Sequence, residues 1–121
     1  MNTSRQALGK WGEAIAADFL EKQGYLIVER NCRTPYGEID LVAYDGAVFV
    51  FVEVKTRTTD SFGFPEEAIT SKKRDHLVSA AQAILQTRSN RPVSWRIDVI
   101  AIRKVKYADQ PEIVHFKNAI N

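Results

Sequence analysis

From Gly37 to Arg57 the chain reads GEIDLVAYDGAVFVFVEVKTR, and this stretch limits the fold more than any other. Two apolar runs, Ile39–Tyr44 and Ala47–Val52, flank an Asp45-Gly46 pair. An Asp-Gly link between such runs is a strong short-range signal for a β-hairpin. With a two-residue link, Tyr44 is expected to face Ala47, Asp40 to face Phe51 and Glu38 to face Glu53. Side chains alternate along a strand, so Glu38, Asp40, Glu53 and Lys55 are expected on one side. Asp40 and Glu53 then become diagonal neighbours, roughly 7 Å apart or less at Cβ.

The second run, Ala47-Val48-Phe49-Val50-Phe51-Val52, is apolar on both faces and reads as a central, buried strand. Carboxylates facing each other at its end repel and are costly to desolvate. A divalent cation with a preference for hard oxygen ligands reverses both penalties. The plainer alternative is that Glu53 lies just past the buried part and pairs with Lys55 or Arg57.

Helical periodicity covers about Thr3 to Gln23, where Leu8, Trp11, Ile15, Ala16, Phe19 and Leu20 make one apolar stripe. Gly24 stands where a helix-ending left-handed residue is wanted. Gly9 and Gly12 lower helix propensity, so another backbone is expected to pack closely there. Glu13 borders the stripe, either as a solvated flank residue or as a carboxylate aimed along the buried interface. A short strand is expected over Tyr25–Cys32, then a turn from Asn31 to Gly37. After the hairpin, Thr58–Pro65 reads as a loop, either a bare connection or a segment that grips a substrate. A second helix starts at a cap on Thr70 or Ser71 and ends near Arg88, with Leu77, Ala80, Ala81, Ile84 and Leu85 on one face. Strands follow over Pro92–Arg103 and Glu112–Phe116, the last at an edge. The order αβββαββ describes an α/β fold: a mixed sheet of about five strands with helices on both faces.

Composition sets the remaining bounds. A chain of 121 residues is the size of one domain, residues 1–121, with room for a real core. A single cysteine, Cys32, excludes an intrachain disulfide and a cysteine-based zinc site, and two histidines, His76 and His115, do not make a metal cluster. The N-terminal residues lack the apolar core of a signal peptide and no run approaches a membrane span, so a cytoplasmic protein is expected. Net charge is only +2, but cations gather at Lys72-Lys73-Arg74, at Arg88, Arg91 and Arg96, and at Arg103, Lys104 and Lys106. Three cations in the first turn of a helix oppose its dipole and point to an anionic partner.

These residues together resemble a known signature. Asp40, followed after twelve residues by Glu53-Val54-Lys55, is similar to the PD-(D/E)XK nuclease pattern, with Ile39 where that pattern has proline. The resemblance is closer to the uncharacterised bacterial YraN-like family, related to archaeal Holliday-junction resolvases. It is carried by Gly9-x-x-Gly12-Glu13, Gly37-Glu38-Ile39-Asp40-Leu41, Phe51 through Arg57, Lys72 or Lys73, and Arg96-x-Asp98-Val99, which span nearly the whole chain. It implies a three-layer, restriction-endonuclease-like core. It also implies Asp40, Glu53 and Glu13 as ligands of Mg²⁺ or Mn²⁺, with Lys55 orienting or activating the attacking water. Asp40, Glu53 and Lys55 are then the catalytic set, and Lys72, Lys73 and Arg57 the residues at the nucleic acid. Arg96 and Asp98 are read as a structural pair. The expected activity is metal-dependent endonucleolytic hydrolysis of DNA, with branched structures among the candidate substrates and a homodimer as the candidate assembly. Two other readings stand beside it: a nucleic-acid-binding module with little or no turnover, and an interaction protein whose acidic cluster is only a salt-bridge network.

Overall fold

A computed structural model describes residues 4–58, 69–88 and 94–120. Two helices and five strands follow in the order α1 (Ser4–Lys22), β1 (Leu26–Thr34), β2 (Gly37–Asp45), β3 (Val48–Thr58), α2 (Ser71–Gln86), β4 (Ser94–Lys104) and β5 (Glu112–Ile120). The strands form one mixed sheet in the order β1-β2-β3-β4-β5. Only β3 and β4 run parallel, joined by the crossover that contains α2; the other pairs are antiparallel. The expected αβββαββ order and mixed five-stranded sheet are therefore present, with β3 at the centre and β5 at an edge. The loop expected over Thr58–Pro65, beyond Thr58 itself, and Pro92 at the start of the fourth strand lie outside the described residues, as does Thr3.

Strand β3 explains why both faces need cover. Phe49 and Phe51 pack with Leu77, Ala80, Ala81 and Ile84 of α2, while Val50 and Val52 pack with Ala16, Ala17 and Leu20 of α1. Each such buried side chain contributes on the order of 1.5–3 kcal/mol of transfer free energy, so neither helix can leave without exposing a large apolar face. Thr70 caps α2, its hydroxyl accepting from Lys73 N–H at 3.1 Å.

Three boundaries differ from expectation. The β2–β3 register pairs Tyr44 with Phe49 and Asp45 with Val48, so the two-residue loop is Gly46-Ala47, not Asp45-Gly46. Gly46 takes φ +59 while Ala47 stays outside the positive-φ region, the pattern of a type II′ turn, which wants glycine first. The whole ladder is thereby displaced by two residues: Phe51 faces Val42 rather than Asp40, and Val52 faces Leu41. Strand β1 extends to Thr34, and the turn is only Pro35-Tyr36, closed by Thr34 Oγ1 donating to Gly37 O at 2.7 Å. Its buried alternation belongs to Tyr25 and Ile27, with Leu26 and Val28 exposed. Strand β5 also runs on to Ile120 rather than ending at Phe116, which lets Ile120 close the α2-side core.

Candidate metal centre

Along β2, Val42 and Ile39 both pack on the α2 side, while Leu41 and Ala43 pack on the α1 side. Strict alternation would put Ile39 with Leu41, yet Ile39 packs with the α2-side cluster although the β1–β2 register runs unbroken past Asp40, while the β2–β3 pairing reaches only Leu41. There the carboxylate takes over from the backbone ladder: Asp40 Oδ2 accepts the Val54 N–H at 2.8 Å. The side chain of Asp40 is thus fixed to β3 immediately beside Glu53.

Helix α1 brings Glu13 to the same place. A Cβ at Gly12 would overlap Thr56 Oγ1, so glycine is what lets the helix lie this close to the end of β3. Gly9 differs: among the described residues a Cβ there meets nothing within 4 Å, and the close neighbour expected to be backbone is at Gly12 the Thr56 side chain. Carboxylate oxygens of Glu13, Glu38 and Asp40 all lie within 4.8 Å of one another. Asn31 ties two of them together, its side-chain N–H₂ donating to Glu13 Oε1 and to Glu38 Oε1, both at 2.9 Å. Asn31 reaches them from φ +52, a left-handed conformation that asparagine tolerates better than most residues.

Glu53, on β3, adds a fourth carboxylate beside Asp40. It is 6% exposed, and its Oε2 has no hydrogen-bond partner. Lys55 Nζ lies 3.9 Å from Oε1 and Lys73 Nζ lies 3.5 Å from Oε2, ion-pair distances without hydrogen bonds. Arg33 stands 3.8 Å from the outer oxygen of Glu38. Burial, and next the charge of Glu53, push the Asp40 carboxyl up to about 8, with Glu13 adding to the rise and the Val54 N–H opposing it. The metal-free cluster therefore keeps a proton near neutral pH.

Of the residues named from sequence, Glu13, Asp40, Glu53, Lys55 and Lys73 come together. Arg57 lies a turn of strand further on, its guanidinium donating to Thr56 O at 3.1 Å, in a groove of about 540 Å³ shared with Arg5, Gly9, Glu13 and Lys55. Lys72 points to solvent on α2. Glu38 joins the cluster although the sequence left its role open, and Asn31 was missed because it fell inside an expected turn. Arg96 and Asp98 do pair, at 3.0 Å, within a separate buried network. Asp98, fully buried, also accepts from Asn118 N–H at 2.8 Å and meets His115 Nε2 at 2.7 Å. Arg96 donates onward to the Tyr25 hydroxyl at 2.9 Å and to Asp45 at 3.2 Å. His115 is thus a satisfied core histidine, and His76 is exposed. Among the described residues, no helix is long and apolar enough to cross a membrane.

The sequence profile of the Uncharacterised protein family UPF0102 matches residues 12–102, from Gly12 beside Glu13 through the fourth strand. A UPF0102 protein of Syntrophotalea carbinolica is 44% identical over 121 residues, covering 100% of this chain and 97% of its own. One from Dehalococcoides mccartyi is 36% identical over 120 residues, with 99% and 98% covered. Another from Geotalea daltonii is 44% identical over 116 residues, with 96% and 91% covered. The match takes in Glu13, Asn31, Glu38, Asp40, Glu53, Lys55 and Lys73 alike, and the chain belongs to the UPF0102 family.

Proposed function

We propose that this protein is a divalent-metal-dependent endonuclease that hydrolyses phosphodiester bonds of DNA, in the manner of the PD-(D/E)XK nucleases and the related resolvases. The observation that carries the reading is the gathering of Glu13, Glu38 and Asp40, whose oxygens lie within 4.8 Å of one another, with buried Glu53 beside Asp40 and its Oε2 without a hydrogen-bond partner. An all-oxygen donor set of this kind is what Mg²⁺ or Mn²⁺ takes. An ion held by Asp40, Glu53 and Glu13, with Glu38 in reach, would put positive charge against a phosphate oxygen and lower the pKa of a water.

The chain's own residues supply the rest. Lys55 stands on the solvent side of Glu53, where its ammonium can hold the attacking water or the charge that builds on the phosphate. The N–H of Val54 and the amide of Asn31 fix the carboxylates, so the donor atoms do not have to be ordered when substrate arrives. Lys72, exposed on α2, and Arg57, which lines the groove, would meet backbone phosphates, contacts that give affinity without reading sequence. Lys73 does double duty beside Glu53.

Purified protein with linear duplex, single-stranded and four-way-junction DNA, in Mg²⁺ or Mn²⁺ and in chelator, tests the proposal. Metal-dependent internal cleavage that Asp40→Asn abolishes is the expected result. Tight binding without cleavage would leave the binding-module reading, and neither binding nor cleavage would overturn both.

A further inference from the structure

The groove beside the carboxylates is built along one row of α1. Arg5, Gly9 and Glu13 are spaced i, i+4, i+8, so they lie one above another on a single helix face, about 12 Å from first to last. Across from them run Lys55, Thr56, Arg57 and Thr58 at the end of β3, and the space between is about 540 Å³. Glycine inside a helix is unfavourable relative to alanine. At Gly12 the close contact with Thr56 explains it; at Gly9 nothing among the described residues does, since an added Cβ would meet none of their atoms within 4 Å. The φ of Gly9 is also ordinary, so backbone freedom is not the reason. What the missing side chain does leave is open groove, midway between a guanidinium and a carboxylate of the metal cluster.

We infer that Gly9 is a steric determinant of substrate: it opens a passage for one nucleic-acid strand, whose sugar–phosphate backbone runs from the carboxylates past Gly9 to Arg5 and Arg57. The inference rests on the proposed nuclease reading and adds to it the path and the single-strand width of the substrate. The charges fit: the groove is lined by Arg5, Lys55 and Arg57, with Glu13 alone opposing them at the end where the cation would sit. The row reaches past the phosphate at the carboxylates toward its neighbour, so the strand beside the cut is held by cations while the cut itself lies at the acids. A Cβ at position 9 would narrow the passage without meeting any atom of the described residues within 4 Å.

The test compares Gly9→Ala and Gly9→Leu with wild type. Each protein is melted, titrated with Mn²⁺ alone, and titrated into a fluorescein-labelled single-stranded oligonucleotide by anisotropy in Ca²⁺, a hard cation for the same oxygens. Gly9→Ala is expected to melt at or above wild type and Gly9→Leu no lower than a few degrees below it. Mn²⁺ affinity should stay within about twofold for both. Oligonucleotide affinity should fall severalfold for Gly9→Ala and tenfold or more for Gly9→Leu. Wild-type DNA affinity in a folded Gly9→Leu protein would overturn the inference and leave the nuclease reading standing. Wild-type protein that binds no single-stranded oligonucleotide would overturn the inference alone, because the nuclease reading is also tested on duplex and junction DNA. A Gly9→Ala protein that melts well below wild type would show position 9 packed against the protein, which also overturns it.

Discussion

Asp40 concentrates the electrostatics of the site in one side chain, and its behaviour with pH separates a metal centre from a structural carboxylate. Its folded value, pushed up to about 8 by burial and by Glu53, stands above the ordinary 3.8. Between those limits the unfolded chain has lost the proton while the folded chain still holds it, so folding is favoured less as pH rises. Metal-free protein should therefore lose stability from this group steadily between pH 4 and 8, and Asp40→Asn should flatten that slope and melt higher at pH 8. An ion competes with the same proton, so Mg²⁺ affinity should climb over the same window. Thermal melts at pH 5, 6, 7 and 8, in chelator and in Mg²⁺, read both effects; an Asp40→Asn protein with the wild-type slope would locate the proton elsewhere. Lys55 poses the complementary question. Lys55→Met keeps the aliphatic stem and removes the charge 3.9 Å from Glu53. If the ammonium serves the transition state, the variant should bind Mn²⁺ and DNA nearly as before and lose cleavage by roughly a hundredfold or more. If it is mainly a counter-ion, the metal-free variant should melt lower and regain stability on adding Mg²⁺. Cys32 gives a simpler expectation. Burial and the neighbouring Glu29 push its thiol up to about 11, so the folded protein should react slowly with thiol reagents at pH 8 and quickly once denatured.

At the scale of elements, helix α1 is held over the sheet edge by the contact between Gly12 and Thr56, and Glu13 goes where that contact puts it. Gly12→Ala should cost about 1–3 kcal/mol through overpacking. It should also weaken metal binding, because the helix must move away from β3. Thr56→Ala should recover part of both losses, and the non-additivity of the pair measures the contact. Equal melting of Gly12→Ala and wild type would mean that the helix relaxes freely there. The two helices, the central apolar strand and the pairing of β2 with β3 were legible from periodicity, since Phe49 to Val52 can satisfy both of their faces in few ways. The register was not. Asp45-Gly46 and Gly46-Ala47 both make good two-residue turns, and sliding from one to the other moves the ladder by two residues while keeping every side chain on its face. The carboxylates survive that slip because parity is preserved. What sequence pattern cannot convey is the bond from Val54 N–H to the Asp40 carboxylate, or the left-handed Asn31 that holds Glu13 to Glu38, because each depends on residues distant along the chain.

Over the whole molecule, two polar clusters share one sheet and are built in opposite ways. The carboxylate cluster is open: Glu53 Oε2 is buried without a hydrogen-bond partner, with Lys73 at 3.5 Å. The cluster around Asp98 is closed: burial alone would raise its carboxyl, but His115, the Asn118 N–H and Arg96 together hold it below the usual value. A group depressed in this way contributes stability that is present above its unfolded value of 3.8 and is lost as pH falls through the folded one. Acid unfolding below about pH 4 should therefore draw on Asp98, in a window that Asp40 does not share. The network joins Arg96 and Asp98 on β4 to His115 and Asn118 on β5, and then to Tyr25, just before β1, and Asp45 at the end of β2. The Arg96-x-Asp98 spacing was visible in sequence; its partners were not, because a histidine seventeen residues away carries no local mark. Asp98→Asn keeps the shape and removes the charge that Arg96 and His115 face. It should cost about 3–5 kcal/mol, the loss typical of breaking a buried ion pair. For 121 residues that is a fall in Tm of roughly ten degrees or more. Because none of Glu13, Glu38, Asp40 and Glu53 bonds to Asp98, the further rise in Tm on adding Mg²⁺ should be the same in Asp98→Asn as in wild type. A folded Asp98→Asn protein that no longer responds to Mg²⁺ would make this network part of the metal centre, and an unchanged Tm would make it dispensable to the fold.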